Sequence, residues 1–227
     1  MIKPFLLIVF TCCFISVFAQ KTETKYFEGV IEYDIQSESF MQGVSGNEIG
    51  LRTGNKLFFY YKQGTYVREY RDDAGYTIMK FCYKASENTL YSHFINYNPD
   101  TLFFNSGADT NLVSWRISDS LSEKVLDYTC KGVTINYNYS NPAKKDSAYY
   151  RHTFFFCPAL PVNPEWQKDM VAWNEVLAAN PYIAIKFVEN YNDLLTQTFT
   201  ATKIEWKKLD DSVFEINPNL ILKKAGD

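Results

Sequence analysis

The sequence predicts a mainly antiparallel β domain carrying one prominent helix. Period-two alternation of apolar and polar residues recurs along most of the chain, and short turn signals separate the alternating runs. A single stretch, 163–180, switches to helical spacing. Apolar residues make up 46% of the 227 and aromatic residues 17%, too many for a disordered chain.

The first expected strand is Phe27 to Ile35. Residues 36–54 are rich in Ser, Gly and Asn and read as a loop or an irregular edge. Leu57 to Lys62 and Thr65 to Arg71 flank Gln63-Gly64, a two-residue hairpin signal. Pairing about that turn sets Tyr61 opposite Tyr66, Phe59 opposite Arg68 and Leu57 opposite Tyr70. Further strands are expected at Tyr76 to Lys84, Thr89 to Tyr97, Thr101 to Asn105 and, briefly, Leu112 to Ile117. Late strands are expected at Tyr182 to Glu189 and Leu195 to Trp206, with a short extended tail at Ser212 to Ile216.

Lys124 to Tyr139 and Ser147 to Cys157 form the most informative hairpin. Symmetric pairing about 140–146 places Val133, Ile135, Tyr137 and Tyr139 on one face with Tyr150, His152, Phe154 and Phe156. Gly132, Thr134 and Asn136 then share the other face with Arg151, Thr153 and Phe155, so one register separates the two classes. The same register sets Cys130 opposite Cys157, close enough for a cross-strand disulfide. Three buried free thiols are the alternative, since Cys82 is unpaired in either case.

The helix is expected to start at Asn163, a suitable N-cap, with Pro164 first inside it and Glu165 favourable to the helix dipole. Trp166, Met170, Trp173 and Leu177 make one apolar stripe, and Asn180-Pro181 ends it. Such a stripe is ordinarily packed against a sheet.

Residues 1–19 have the layout of a cleaved export signal: Lys3, an apolar run from Phe5 to Phe18, and Ala19 at the cut. The run is shorter than the roughly 20 residues that span a bilayer. Residues 20–227 then form a single domain, since no repeat or linker divides them. A net charge of −3 without a basic block argues against nucleic acid as a partner.

Little in the chain points to catalysis. The two histidines, His93 and His152, stand inside strands without a nucleophile motif. Gly43-Val44-Ser45-Gly46 lacks the spacing of a nucleophile elbow, and no phosphate-loop, dinucleotide or metal-ligand motif is present. Asp72-Asp73 and Asp210-Asp211 stand at turn positions, where aspartate bonds the backbone. No catalytic residue, cofactor or metal is expected. Seventeen Tyr and 18 Phe on alternating strands instead require one strongly apolar sheet face, which is either filled core or a concave site for an acyl chain or other apolar ligand.

Three segments, FEGVIEY at 27–33, EKVLDYTCKG at 123–132 and KKLDDSVFEINP at 207–218, resemble the GLPGLI family of exported Gram-negative proteins. Phe156-Cys157-Pro158-Ala159-Leu160-Pro161 resembles that family's following strand and proline turn, while Ala179 to Ile185 departs from its naming motif. The family is similar to the LolA-like lipoprotein carriers. The resemblance implies a curved, open antiparallel sheet, or half-barrel, partly closed by helix, in a periplasmic or surface protein that binds a lipid or lipoprotein acyl chain. With the face sorting above, it places Ile135, Tyr137, Phe154, Phe156, Trp166, Met170 and Trp173 on the concave, ligand-binding side. An envelope interaction module with a filled core, and a hydrolase with an unrecognised site, are the other readings.

Overall fold

The computed structural model describes residues 25–106, 112–141 and 146–225; the expected export signal and residues 142–145 lie outside them. Twelve strands run β1 (Gly29–Ser39), β2 (Lys56–Lys62), β3 (Thr65–Arg71), β4 (Thr77–Lys84), β5 (Thr89–Phe94), β6 (Thr101–Ser106), β7 (Leu112–Val125), β8 (Tyr128–Asn141), β9 (Asp146–Pro161), β10 (Tyr182–Tyr191), β11 (Leu195–Trp206) and β12 (Ile221–Lys224). They form one sheet in the order β12-β6-β5-β4-β3-β2-β1-β11-β10-β9-β8-β7. Every neighbouring pair is antiparallel except β12 against β6. Among the described residues, two short α-helices, α1 (Gly46–Thr53) and α2 (Trp173–Ala179), accompany the sheet. This is the mainly β class that the alternation predicts, built as the curved open sheet that the resemblance implies.

Both expected hairpins hold their register. Tyr61 faces Tyr66, Phe59 faces Arg68 and Leu57 faces Tyr70 across β2 and β3. Across β8 and β9, Val133 faces Phe154, Ile135 faces His152 and Tyr137 faces Tyr150. The strand expected to begin at Lys124 begins instead at Tyr128, because the chain turns at Leu126-Asp127 and 112–125 form one long strand.

The disulfide requires correction. Cys130 and Cys157 lie within hydrogen-bonding reach of each other, as the register demands, yet Cys82, Cys130 and Cys157, the cysteines among the described residues, are buried free thiols. The β8–β9 ladder ends at Lys131 opposite Phe156, and β7 shifts register against β8 between Ser120 and Glu123. The Cys130 thiol there points at the Tyr128 carbonyl, 3.8 Å away. Burial pushes that thiol up to about 12, so it stays protonated and unreactive.

The helix is also corrected. Asn163 caps as expected, its side chain accepting from Glu165 N, but what it starts is a 3-10 turn, Pro164–Gln167. The helical path then breaks at Ala172, whose φ is 64°, before α2 begins. Tertiary bonds account for the break. The buried Gln167 donates to Gly64 O at 2.9 Å and Asn88 donates to Asp169 O at 3.1 Å, which fixes the segment to the β2–β3 and β4–β5 ends.

Residues 45–53, read as loop, carry α1. Ser45 accepts from Glu48 N, and the Glu48 carboxylate accepts from Ser45 N, a complete capping box. The expected strand at 212–216 is a 3-10 turn, Asp211–Phe214, and the tail reaches the sheet later as β12.

The sheet is strongly curled. β3 and β10 stand four strand steps apart, about 19 Å along a flat sheet at roughly 4.8 Å per step. Yet Arg68 on β3 reaches Glu189 on β10 at 3.9 Å, and Tyr70 packs edge-on against Phe199 of β11. Side chains of one face therefore meet across the curl. The opposite face is covered in part by the C-terminal segment, where Leu209 and Phe214 bury Val30, Val67 and Cys82.

Candidate functional site

Strand register decides what lines the inner face. One row runs Phe59, Arg68, Phe81, Ser92, Phe103 from β2 to β6. Another runs Ser37, Gln197, Glu189, His152, Ile135 from β1 through β11, β10 and β9 to β8. The first is aromatic apart from Arg68 and Ser92; the second is polar until it reaches Ile135.

Aromatic rings connect these rows into an arc. Trp173 packs on Phe154 with ring centres at 4.8 Å, and Phe154 lies 5.9 Å from Phe187. Phe187 stacks on Phe199 at 4.2 Å, and Phe199 meets Tyr70 at 6.3 Å across the curl. Tyr70 continues to Phe81 at 5.6 Å, Phe81 to Phe94 at 5.7 Å, and Phe94 to Phe103 at 6.1 Å. Such pairs add about 0.5–1.5 kcal/mol each beyond area burial, so the arc rigidifies the curl.

Its two ends differ. Phe154, Phe187, Phe199 and Tyr70 are buried, while Phe81, Phe94 and Phe103, with Met79 and Phe59 beside them, are half-buried. Of these, Met79, Phe81, Phe94 and Phe103 form a wing on β4, β5 and β6.

The seven expected ligand-contacting residues lie mostly in the filled end. Ile135 and Phe156 are fully buried, Phe154 nearly so, and Trp173 packs on both phenylalanines. Trp166 is half-buried against Tyr26, Tyr137 packs edge-on to His152, and Met170 is half-buried after the 3-10 turn. Of the seven, all but Met170 belong to the main core cluster or pack against it. Sequence reasoning missed Phe81, Phe94 and Phe103 as a group, although their spacing on three short strands was readable. It also passed over Arg68, whose place opposite Phe59 already put a charge on an apolar face.

Arg68 anchors a polar cluster inside the curl. Its guanidinium lies over the Phe187 ring at 5.4 Å and over Tyr66 at 5.7 Å, and the Tyr70 hydroxyl bonds it. Glu189 keeps 9% of its side chain exposed and takes a short hydrogen bond from the Tyr191 hydroxyl. Burial holds the Tyr191 hydroxyl far above the usual phenol range, and the Glu189 carboxylate adds to that. Burial, with the Arg68 charge acting the same way, holds the His152 imidazole below its ordinary value, and Glu189 opposes them. Two buried nitrogens of this cluster, Arg68 Nε and His152 Nε2, lack a hydrogen-bond partner.

Among the described residues no group of three or more His, Cys, Asp or Glu could hold a metal ion. His93 stands on β5, bonded to Pro99 O at 2.8 Å, and His152 stands on β9. Two surface depressions lie away from the wing. One of about 180 Å³ is lined by Glu32, Lys56, Phe58 and Arg71, and one of about 420 Å³ by Lys62, Thr65, Lys84 and Asp211. Among the described residues, no helix is long and apolar enough to cross a membrane.

No protein-family model matches the chain, and no curated protein matches it in sequence. Several solved structures are similar, these two among them. The lipoprotein LppX of Mycobacterium tuberculosis is 8% identical over 81% of this chain and 90% of that one, with a TM-score of 0.34. A LolA superfamily protein from Nitrosomonas europaea is 5% identical over 85% of this chain and 91% of that one, with a TM-score of 0.36. Likeness at this level transfers no residue role and no ligand to this chain.

Proposed function

We propose that this is a non-catalytic protein of the Gram-negative periplasm or cell surface that binds a lipid or other apolar ligand on the inner face of its sheet. The observation that carries this reading is the half-buried wing of Met79, Phe81, Phe94 and Phe103, which continues the core's ring arc beyond the part filled by Trp173 and Phe154. Rings left half in water gain free energy when an apolar chain covers them, at about 25 cal/mol per Å² removed from water. The signal-like residues 1–19 and the three GLPGLI-like segments support export and an envelope location. The ligand's chain lies on the wing, at the end of the arc away from Trp173.

Native mass spectrometry of protein purified from a bacterial envelope tests this. A lipid-sized adduct is expected, and it is lost in a folded Phe81→Ser/Phe94→Ser variant. A bare protein under gentle conditions overturns the reading. An envelope interaction module is the second reading, favoured by the exposed edge strand β12, where Ile221 and Leu222 are 58% and 56% exposed.

A further inference from the structure

Arg68 occupies an unusual place. An arginine at the waist of an aromatic interior needs acceptors for five N–H groups, because a buried donor left unpaired costs free energy. The described structure supplies few. Nη1 stands 3.9 Å from Glu189 Oε1, a charge contact too long for a hydrogen bond, and Nε has no partner. The side chain keeps 28% of its surface although it lies deep within the curl. Its open surface therefore faces the inner space, and its register neighbours there are Phe59 and Phe81.

Glu189 balances the charge of Arg68 without hydrogen-bonding it: Oε1 stands 3.9 Å away, Oε2 takes the bond from Tyr191, and its own side of the pair is nearly closed to solvent. His152, opposite Glu189 in the register, presents a second buried nitrogen without a partner. The wing rings begin one strand from Arg68 and run outward to β6, next to the edge strand β12. A guanidinium that is bonded by the Tyr70 hydroxyl and still keeps open surface at the inner end of an apolar track suits a molecule with an anionic head and a single hydrocarbon tail.

We propose that Arg68 receives the anionic head group of an amphiphile, a carboxylate or phosphate, whose tail lies along Phe81, Phe94 and Phe103. This rests on the apolar-ligand reading above and adds the class of ligand. Guanidinium meets such heads with paired, charge-assisted hydrogen bonds, which a neutral or cationic head cannot accept.

Calorimetric titration of the full chain with four twelve-carbon probes below their micellar concentrations tests it: dodecanoate, dodecyl phosphate, dodecanol and dodecyltrimethylammonium. The two anions are expected to bind about tenfold or more tightly than the other two, the scale of a charge-assisted hydrogen bond. Arg68→Met should remove that preference and leave dodecanol binding within about twofold, since the apolar track is intact. If Arg68→Met fails to fold, Arg68→Met/Glu189→Leu, which removes the charge left behind, serves in its place. Equal binding of all four probes, or an anion preference that survives loss of Arg68, overturns the head-group assignment while the apolar-ligand reading stands. Failure of every probe to bind overturns both.

Discussion

Arg68 Nη1 lies 3.9 Å from Glu189 Oε1, although the two residues are carried by strands with three others between them. Their contact exists only because the sheet curls, and it ties the two halves of the molecule at the waist. Removing one partner of a buried pair leaves an uncompensated charge, at a cost of about 3–5 kcal/mol. Glu189→Leu and Arg68→Met should each destabilise on that scale, while the double variant should return to within about 2 kcal/mol of the parent. Chemical denaturation of the four proteins measures the cycle. Additive single effects would show that the two side chains are energetically independent.

His152 makes stability depend on pH. Burial holds its folded pKa below the ordinary value of 6.5, so the unfolded chain binds the proton more readily. The His152 contribution is therefore complete above about pH 6.5 and declines as pH falls from there toward the depressed folded value. His152→Phe should flatten this part of the melting-temperature profile between about pH 7 and 5. An unchanged slope in the variant would assign the dependence to other groups.

Cys82 is sealed by the C-terminal segment. Its thiol lies 3.7 Å from Phe214 O, and burial pushes its pKa up to about 11. Phe214→Ala should cost about 3 kcal/mol and expose the thiol. Maleimide labelling of the native protein should then accelerate at Cys82, with Cys130 and Cys157 still protected in the separate core cluster. Labelling that is equally slow in both proteins would mean the segment stays docked without its phenylalanine.

The Gly64 turn latches the filled end of the curl. Gly64 has φ +82°, and an added Cβ would stand 2.5 Å from Trp166 Cβ. Its carbonyl also accepts from Gln167 at 2.9 Å. Gly64→Ala combines backbone strain with this collision and should cost about 2 kcal/mol or more. Trp166 should also move into a wetter environment, visible as a red shift in tryptophan emission.

Much of the strand pattern was legible because alternation and turn chemistry are local. Leu195 to Trp206 was bounded correctly, and the β2–β3 pairing followed from Gln63-Gly64 alone. The α1 helix was legible too, in the Ser45–Glu48 spacing, but its Gly-rich setting masked it. The helix from Pro164 failed for a different reason: its stripe was real, yet bonds from Gln167 to Gly64 and from Asn88 to Asp169 outweighed helical propensity. For the site, the aromatic inner face was readable and its partition into filled and open parts was not.

The residue pattern alone determined that large apolar side chains gather on one side of a β-sheet, since a strand turns alternate residues to opposite faces. It also determined which residues of each hairpin face each other. How far the sheet bends depends on twist summed over many strands and on contacts between distant ones. That bend brings Arg68 to Glu189 and Tyr70 to Phe199, and it fills the Trp173 end while leaving Phe81, Phe94 and Phe103 half open.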